Sequence, residues 1–309
     1  EIDSLPTVST GSVSDANVMI VGQGDLSKGT ATPNTPYTIT RGATVPEYFG
    51  EGTMMTKAVN DALQEGALPV YATVADETST DETGISMATG TLTNAPITED
   101  FDRITVDDGG TSITPVKTMK DPETETPAAG EVYINPVHGT YNFESAPTDA
   151  TISYTYYDYQ SAFDGIMGEE MDKIDYVYCL NENVDVQDMV DGAISEMKSY
   201  HQFAIGGVGA APYFQDVTGN EEGSTEYTAR FSTSRMQVFY PSRNRDGETI
   251  MGAIAGKKAN LGINGSTMNK RLTTHSLLID RIDFADEEHL INQTTVPVQS
   301  STRGAKLVD

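Results

Sequence analysis

The apolar residues of this chain change their spacing twice, and that change constrains the fold more than any other feature. In residues 53–65, and again after Asp185, apolar side chains recur every three or four residues, the period of an amphipathic helix. Short apolar runs typical of buried strands lie at residues 17–21, 68–75, 175–180 and 202–206. This alternation predicts an α/β sheet, with a parallel strand pair around the second helix.

Between the two helical segments, residues 77–159 have no helical period. They contain 15 acidic residues, three basic residues and six prolines. Stretches of alternating character at 103–106, 131–134 and 151–157 indicate short strands separated by turns. The regular alternation of Tyr and Ile around 151–157 argues against disorder. We therefore expect a β-rich region, built as a small barrel or sandwich.

These patterns predict three parts. Residues 1–16 form an extended N-terminal arm, residues 17–76 and 160–309 a discontinuous α/β core of a mixed sheet with flanking helices, and residues 77–159 an inserted β-rich outer domain. The other elements expected in the core are strands at 37–40, 236–240, 277–282 and 305–308, and helices at 221–232 and 248–261, the last stopped by Gly262. Because the sequence stops at Asp309 on an apparent strand, we expect the natural protein to continue.

The charge of the chain excludes several classes of partner. The sequence has 46 acidic and 19 basic residues, a net charge of −27, so a broad nucleic-acid surface and docking on anionic lipid are both disfavoured. No apolar run is long enough to span a bilayer. Self-repulsion at this charge is tolerable where the Debye length is short, as in roughly 1 M salt. The composition therefore favours a halophilic source, with an acidic mesophilic surface as the alternative.

The charge is also unevenly distributed. Residues 230–309 have 11 basic and 8 acidic residues, a net charge of +3, whereas residues 1–229 have a net charge of −30. Only the last quarter can meet an acidic partner without strong repulsion. The alternative is that its cations are buried or paired within the chain.

Motifs that carry chemistry are weak in this sequence. The loop from Gly24 to Gly29 has the glycines of a phosphate loop, but no helix follows it, so we interpret it as a turn. Residues 181–188 resemble half of a calcium loop, with Val186 at the position that needs glycine; we interpret them as a loop leading into a helix capped by Asp185. The four histidines lie far apart, and Cys179 is interpreted as a buried strand residue. We expect no catalytic, cofactor or metal site, and no enzymatic activity.

One helix carries candidate interface residues. Gly252 and Gly256 weaken the helix predicted at 248–261 unless another backbone packs closely against it, from within the chain or from a neighbouring subunit. Basic residues cluster at its end and just beyond. The candidate interface with an inner tube or a second subunit therefore comprises Gly252, Gly256, Lys257, Lys258, Lys270 and Arg271.

Several short sequence segments, taken in order, resemble the sheath subunit of contractile tails, a family shared by tailed viruses and related injection machines. The most similar segment is residues 58–71, which resembles the family's helix, its Asn-Gly-Ala turn and its Val-Tyr strand, with Gln64, Glu65 and Gly66 in place of the usual Asn-Gly. The other matching segments are residues 34–40, 46–50, 139–143, 152–157, 240–241 and 252–256. The resemblance covers most of the chain outside 77–130.

The resemblance implies a mechanical role. Sheath subunits assemble as rings or a helix around an inner tube, exchange strands through terminal arms, and shorten by rigid-body rearrangement to drive the tube through an envelope. The implied partners are copies of the chain, the tube protein, and baseplate or terminator proteins. The implied location is the tail of a virion, that of an archaeal virus, assembled in the host cytoplasm. The β-rich region is expected on the outside and the last quarter facing the tube.

An alternative from another functional class stays open. An acidic secreted surface-layer or adhesion protein, with the β-rich region as its binding module, is compatible with the same composition. The product of self-assembly separates the two, because a sheath forms tubes and a surface layer forms a flat lattice.

Overall fold

The computed structural model describes residues 16–169, 174–199, 204–209, 231, 235–239, 242–244 and 247–264. The α-helices are α1 (Val45–Phe49), α2 (Met54–Gln64), α3 (Tyr159–Glu169), α4 (Val184–Ser199) and α5 (Met251–Asn264). The strands are β1 (Val18–Gly22), β2 (Tyr37–Ile39), β3 (Val70–Val74), β4 (Asp76–Ile85), β5 (Thr89–Thr91), β6 (Thr105–Asp108), β7 (Thr111–Lys117), β8 (Glu131–Ile134), β9 (Thr140–Phe143), β10 (Ala150–Asp158), β11 (Tyr176–Cys179), β12 (Ile205–Gly209) and β13 (Met236–Phe239).

Six of the described strands form the core sheet, in the order β13-β12-β11-β1-β3-β2. Every neighbouring pair is parallel except β2 and β3, so the sheet is mixed only at one edge. From β1 the chain passes through α2 to β3 on one side, and it later returns through α3 to β11 on the other. The predicted α/β fold with a mixed sheet and flanking helices is confirmed.

Helices cover both faces of the core sheet. Val18 and Ile20 of β1 point into an apolar cluster shared with α2 and α5, whereas Met19 and Val21 point into a second cluster shared with α3 and α4. All five residues of β1 are buried. A parallel sheet buried on both faces explains why its strands appear in the sequence as continuous apolar runs.

The second sheet has seven strands in the order β4-β10-β6-β7-β8-β9-β5, all from residues 76–158. Its two edge strands, β4 and β5, are separated along the chain by only three residues, which span at most about 14 Å. The sheet must therefore roll until its edges approach each other. An apolar cluster fills the interior, including Ile97, Val132, Ile134 and Ile152, each fully buried.

Two strands join the second sheet to the core sheet without slack. Strand β3 runs into β4 through Ala75 alone, and β10 runs directly into α3. Strands β4 and β10 are antiparallel partners from Asp76 opposite Asp158 to Ile85 opposite Ala150. The covalent connection is thus a two-stranded ribbon.

Several predicted details are confirmed and others are wrong. The helical pattern at 53–65 is confirmed as α2, which Gly66 ends with φ of 101°. The cap of α2 was not predicted: the Thr53 side chain accepts a hydrogen bond from the Thr56 amide. The Asn183 side chain, not that of Asp185, caps α4, since Asn183 Oδ1 accepts from the amides of Asp185 and Val186. Helix α5 continues past Gly262 to Asn264. The strand predicted at 202–206 is β12, displaced toward Gly209.

Other predicted segments lie outside the described residues. They are residues 1–15 of the arm predicted at 1–16, most of the helix at 221–232, and the strands at 277–282 and 305–308.

The two glycines of α5 pack against α2 of the same chain. A Cβ built on Gly252 would lie 2.1 Å from the carbonyl oxygen of Ala58, and one on Gly256 would lie 2.4 Å from that of Ala62. Both glycines are buried. Of the two alternatives for this close backbone approach, the structure therefore shows the one within the chain.

Gly252→Ala tests this packing. The added methyl group meets backbone atoms that cannot rotate away, so we expect a loss of about 1–3 kcal/mol in the free energy of unfolding, measured by denaturant titration in molar salt. Gly192→Ala in α4 is the matched control, since no atom lies within 4 Å of its Cβ position, and we expect a gain of up to about 1 kcal/mol. Equal effects of the two substitutions would contradict the packing account.

Candidate functional site

A charged cleft lies where the second sheet meets the carboxyl end of β1. Its volume is about 570 Å³, and its walls combine loops of the core, such as Gln23 and Asp25, with residues of the second sheet. Strands β1 and β11 are neighbours whose connections leave the core sheet in opposite directions, the position at which open α/β sheets form crevices. The topology alone therefore places a cleft here.

Arg243 is the central residue of this junction, and its guanidinium uses all five of its N–H donors. Nε and Nη2 donate to Glu182 Oε1 and Oε2, at 2.9 and 2.7 Å. Nη1 and Nη2 donate to Glu99 Oε2 and Oε1, at 2.9 and 2.7 Å. The remaining Nη1 donor reaches the Gly247 carbonyl at 3.0 Å. The side chain thus forms two bidentate pairs at once, a geometry that the planar fork of arginine permits and lysine does not.

The pair on the core side is fully buried. Glu182 follows β11, and its side chain is 1% exposed, against 3% for Arg243. Ser242 Oγ also donates to Glu182 Oε1, at 2.9 Å. Burial alone would lower the pKa of Arg243, but the two carboxylates raise it, so the guanidinium stays charged.

The pair on the other side belongs to the second sheet. Glu99 precedes a short 3-10 turn, and its Oε2 also accepts from Nζ of Lys117, the last residue of β7, at 2.6 Å. Burial would raise the pKa of Glu99, but Arg243 and Lys117 lower it to about 2. Arg243, Lys117, Glu99 and Glu182 together carry no net charge. We call these four residues the Arg243 cluster.

Three further contacts cross the same junction. Lys28 Nζ lies 3.6 Å from a carboxylate oxygen of Asp100, and Arg103 Nη1 lies 3.9 Å from one of Asp25. Burial would raise the pKa of Asp25, but hydrogen bonds from Lys28 and Ser27 and the charge of Arg103 lower it to about 2. A buried hydrogen bond of 2.7 Å runs from Asn183 Nδ2 to the carbonyl of Val137.

A turn after β13 holds Arg243 in position. Arg243 and Thr249 form an antiparallel bridge, and the Gly247 amide donates to the Asn244 carbonyl at 3.1 Å. The Asn244 side chain accepts from the Glu248 amide at 3.0 Å. These local bonds fix the backbone on both sides of Arg243, so that its side chain extends between the two sheets.

This arrangement of paired charges holds the two sheets together. Every carboxylate of the Arg243 cluster has a charged partner, which is the condition under which buried charges are tolerated. The described residues that line the cleft include no histidine or cysteine. Among the described residues, no group of three or more His, Cys, Asp or Glu side chains is placed to hold a metal ion. No helix in the described part combines the length and apolarity needed to cross a bilayer.

Of the predicted interface cations, Lys257 and Lys258 do not line this cleft. Lys257 has a side chain that is 61% exposed, with its Nζ 3.6 Å from Glu65 Oε1. Lys258 is half-buried, and burial lowers its pKa. Lys270 and Arg271 lie outside the described residues. Cys179 is buried in β11 as predicted, and burial raises the pKa of its thiol to about 12.

Sequence reasoning missed Glu99, Glu182 and Arg243. Glu182 and Arg243 are separated by 61 residues, and Glu99 and Arg243 by 144. No local spacing links them. The only available signal was that Glu182 follows an apolar strand within a chain in which surface acids are abundant.

The comparisons with known proteins give no family. No family model matches this sequence, and no curated protein matches it at a significant level.

Arg243→Met tests the energetic weight of the cluster. Removing the guanidinium leaves two buried carboxylates without their partner, so we expect a loss of about 3–5 kcal/mol in the free energy of unfolding. Arg243→Lys keeps the positive charge but cannot form the two bidentate pairs, so its loss in the free energy of unfolding should be smaller than that of Arg243→Met. The control is Arg41→Met, at an exposed position, expected to stay within about 0.5 kcal/mol. A loss at Arg243 no larger than at Arg41 would contradict the assignment.

Stability should also fall in acid. Glu99 and Asp25 have folded-state pKa values of about 2, below their unfolded values of about 4. Their contribution is therefore fully present above about pH 5 and is lost as the pH falls toward 2. Glu99→Gln should flatten this part of the stability profile, measured by denaturant titration between pH 2 and 7. An unchanged slope in Glu99→Gln would show that Glu99 does not contribute.

Proposed function

We propose that this chain is a structural subunit of a contractile tail sheath, which polymerises around an inner tube and shortens to drive the tube through a cell envelope. The observation that carries the proposal is where the sequence segments that resemble sheath proteins lie in the fold. Residues 58–71 supply most of α2, the turn at Gly66 and the start of β3, and most of their apolar side chains from Ala58 to Val70 pack in the core. Residues 252–256 lie on α5, against the same helix.

An unpaired sheet edge supports assembly from repeated subunits. Among the described residues, β2 is hydrogen-bonded only to β3, and the core sheet ends there. Such an edge can accept a strand from another chain. In this proposal the arm at residues 1–16 of a neighbouring subunit is the donor, as the resemblance to sheath proteins implies.

The charge distribution along the chain supports one orientation of the subunit in the sheath. We place residues 77–159 on the outside of the sheath as an inserted domain, because their net charge of −12 favours exposure to concentrated salt. The less acidic last quarter would face the tube. Besides the tube protein, the proposed partners are baseplate or terminator proteins. The proposed host is a halophilic archaeon, and the proposed location is the tail of a virion.

Electron microscopy of the purified chain in molar salt tests the proposal. We expect striated cylinders, formed alone or around the co-expressed tube protein. A flat lattice, or a dispersed monomer under all salt conditions, would contradict the sheath proposal and favour the surface-layer or adhesion protein instead.

Charge reversal of Lys257, Lys258, Lys270 and Arg271 to Glu tests the tube-facing surface. Four cations become four anions, so repulsion should impair assembly around the tube, counted as cylinders per field. Reversal of Arg41 and Lys120, basic residues elsewhere on the chain, is the control and should leave assembly intact. Unchanged tails in the fourfold variant would overturn this placement.

A further inference from the structure

The two sheets repel each other electrostatically. Residues 76–158 contain 16 acidic and 3 basic residues, a net charge of −13, and the described residues of the core contain 14 acidic and 8 basic residues, a net charge of −6. Like charges of this size oppose close contact wherever the Debye length is long, about 10 Å in 0.1 M salt against about 3 Å in 1 M.

The covalent connection does little to resist this repulsion. It consists of the β4–β10 ribbon, and at its base Asp76 lies directly opposite Asp158. Like charges in directly opposed positions destabilise a strand pair. A two-stranded ribbon also bends more readily than a packed interface, so the orientation of the second sheet depends on contacts across the junction.

Of the ion pairs described across the junction, those of the Arg243 cluster are the ones that salt affects least. Its Arg243–Glu182 pair is excluded from solvent, and the Glu99 side chain is 17% exposed. Screening by ions acts mainly on exposed charges and much less on buried ones. The Lys28–Asp100 pair, by contrast, is 56% and 42% exposed and 3.6 Å long, so it contributes little in concentrated salt.

We propose that the Arg243 cluster is a latch that holds the second sheet against the core sheet in opposition to their mutual repulsion. With the latch intact, the relative orientation of the two sheets is independent of salt. With its outer half removed, the second sheet swings away in dilute salt and returns in concentrated salt, where repulsion is screened. This proposal does not depend on the sheath function, since it concerns a single chain.

The distance between two spin labels measures the orientation. Gln64→Cys at the end of α2 and Ser112→Cys in β7 are both exposed positions, one on each side of the junction. The native Cys179 is buried with a raised pKa, so it should not react. Labelled chain is diluted into excess unlabelled chain, so that distances between molecules do not contribute.

Glu99→Gln is the test variant, because it leaves the Arg243–Glu182 pair in place. Glu144→Gln is the matched control, since it removes the same charge from an exposed position of the second sheet. Pulsed electron paramagnetic resonance is recorded in roughly 1 M salt and in the most dilute salt at which circular dichroism shows the chain folded. If Glu99→Gln fails to fold, Lys117→Gln replaces it.

The expected result is a distance in the parent and in Glu144→Gln that does not change with salt. In Glu99→Gln the distance should lengthen and its distribution broaden in dilute salt, and both should return to the parent values in concentrated salt. An unchanged distance in Glu99→Gln would overturn the latch. A change that is equal at both salt concentrations, or shared by Glu144→Gln, would overturn the role of repulsion.

Discussion

The double bidentate contact of Arg243 is the interaction on which the relation between the two sheets depends. Each sheet has its own apolar interior, and Tyr157 of β10 is the residue of the second sheet that packs into the core cluster. The most extensive of the polar contacts across the junction is the Arg243 cluster: an arginine whose five donors are all used, two glutamates and one lysine. Removing any one partner leaves a charge without compensation, so the geometry is strongly specified.

The elements that sequence reasoning predicted well are those defined by local pattern. The apolar period of α2 and its stop at Gly66 both depend on residues within a few positions of each other. Strand β10 was visible in the alternation at 151–157, and strand β8 occupies residues 131–134 as predicted. In each case the physical cause lies within one helical turn or one strand.

The features that were missed depend on tertiary contact. Gly252 and Gly256 signalled a close backbone approach, but only the fold shows that the partner is α2. The cap of α4 was assigned two residues late, because Asn183 and Asp185 are both good capping residues. Glu99, Glu182 and Arg243 could not be brought together, since in a chain with 46 acidic residues no single glutamate is distinctive.

For a subunit whose proposed work is mechanical, such a junction has a clear consequence. Force applied to one sheet passes to the other only if their orientation is fixed, and a buried ion cluster fixes it without depending on the salt content of the surroundings. A neutral cluster also adds no net charge to a chain that is already strongly acidic. The proposed function and the latch are separate claims, and either can fail alone.

A double-mutant cycle on Glu99 and Arg243 tests the central claim most directly. The free energies of unfolding of the parent, Glu99→Ala, Arg243→Met and the double variant give the coupling between the two side chains, free of their separate effects. The account predicts a coupling of at least about 1 kcal/mol, and the same value in dilute and in concentrated salt. A coupling near zero, or one that vanishes in concentrated salt, would contradict it.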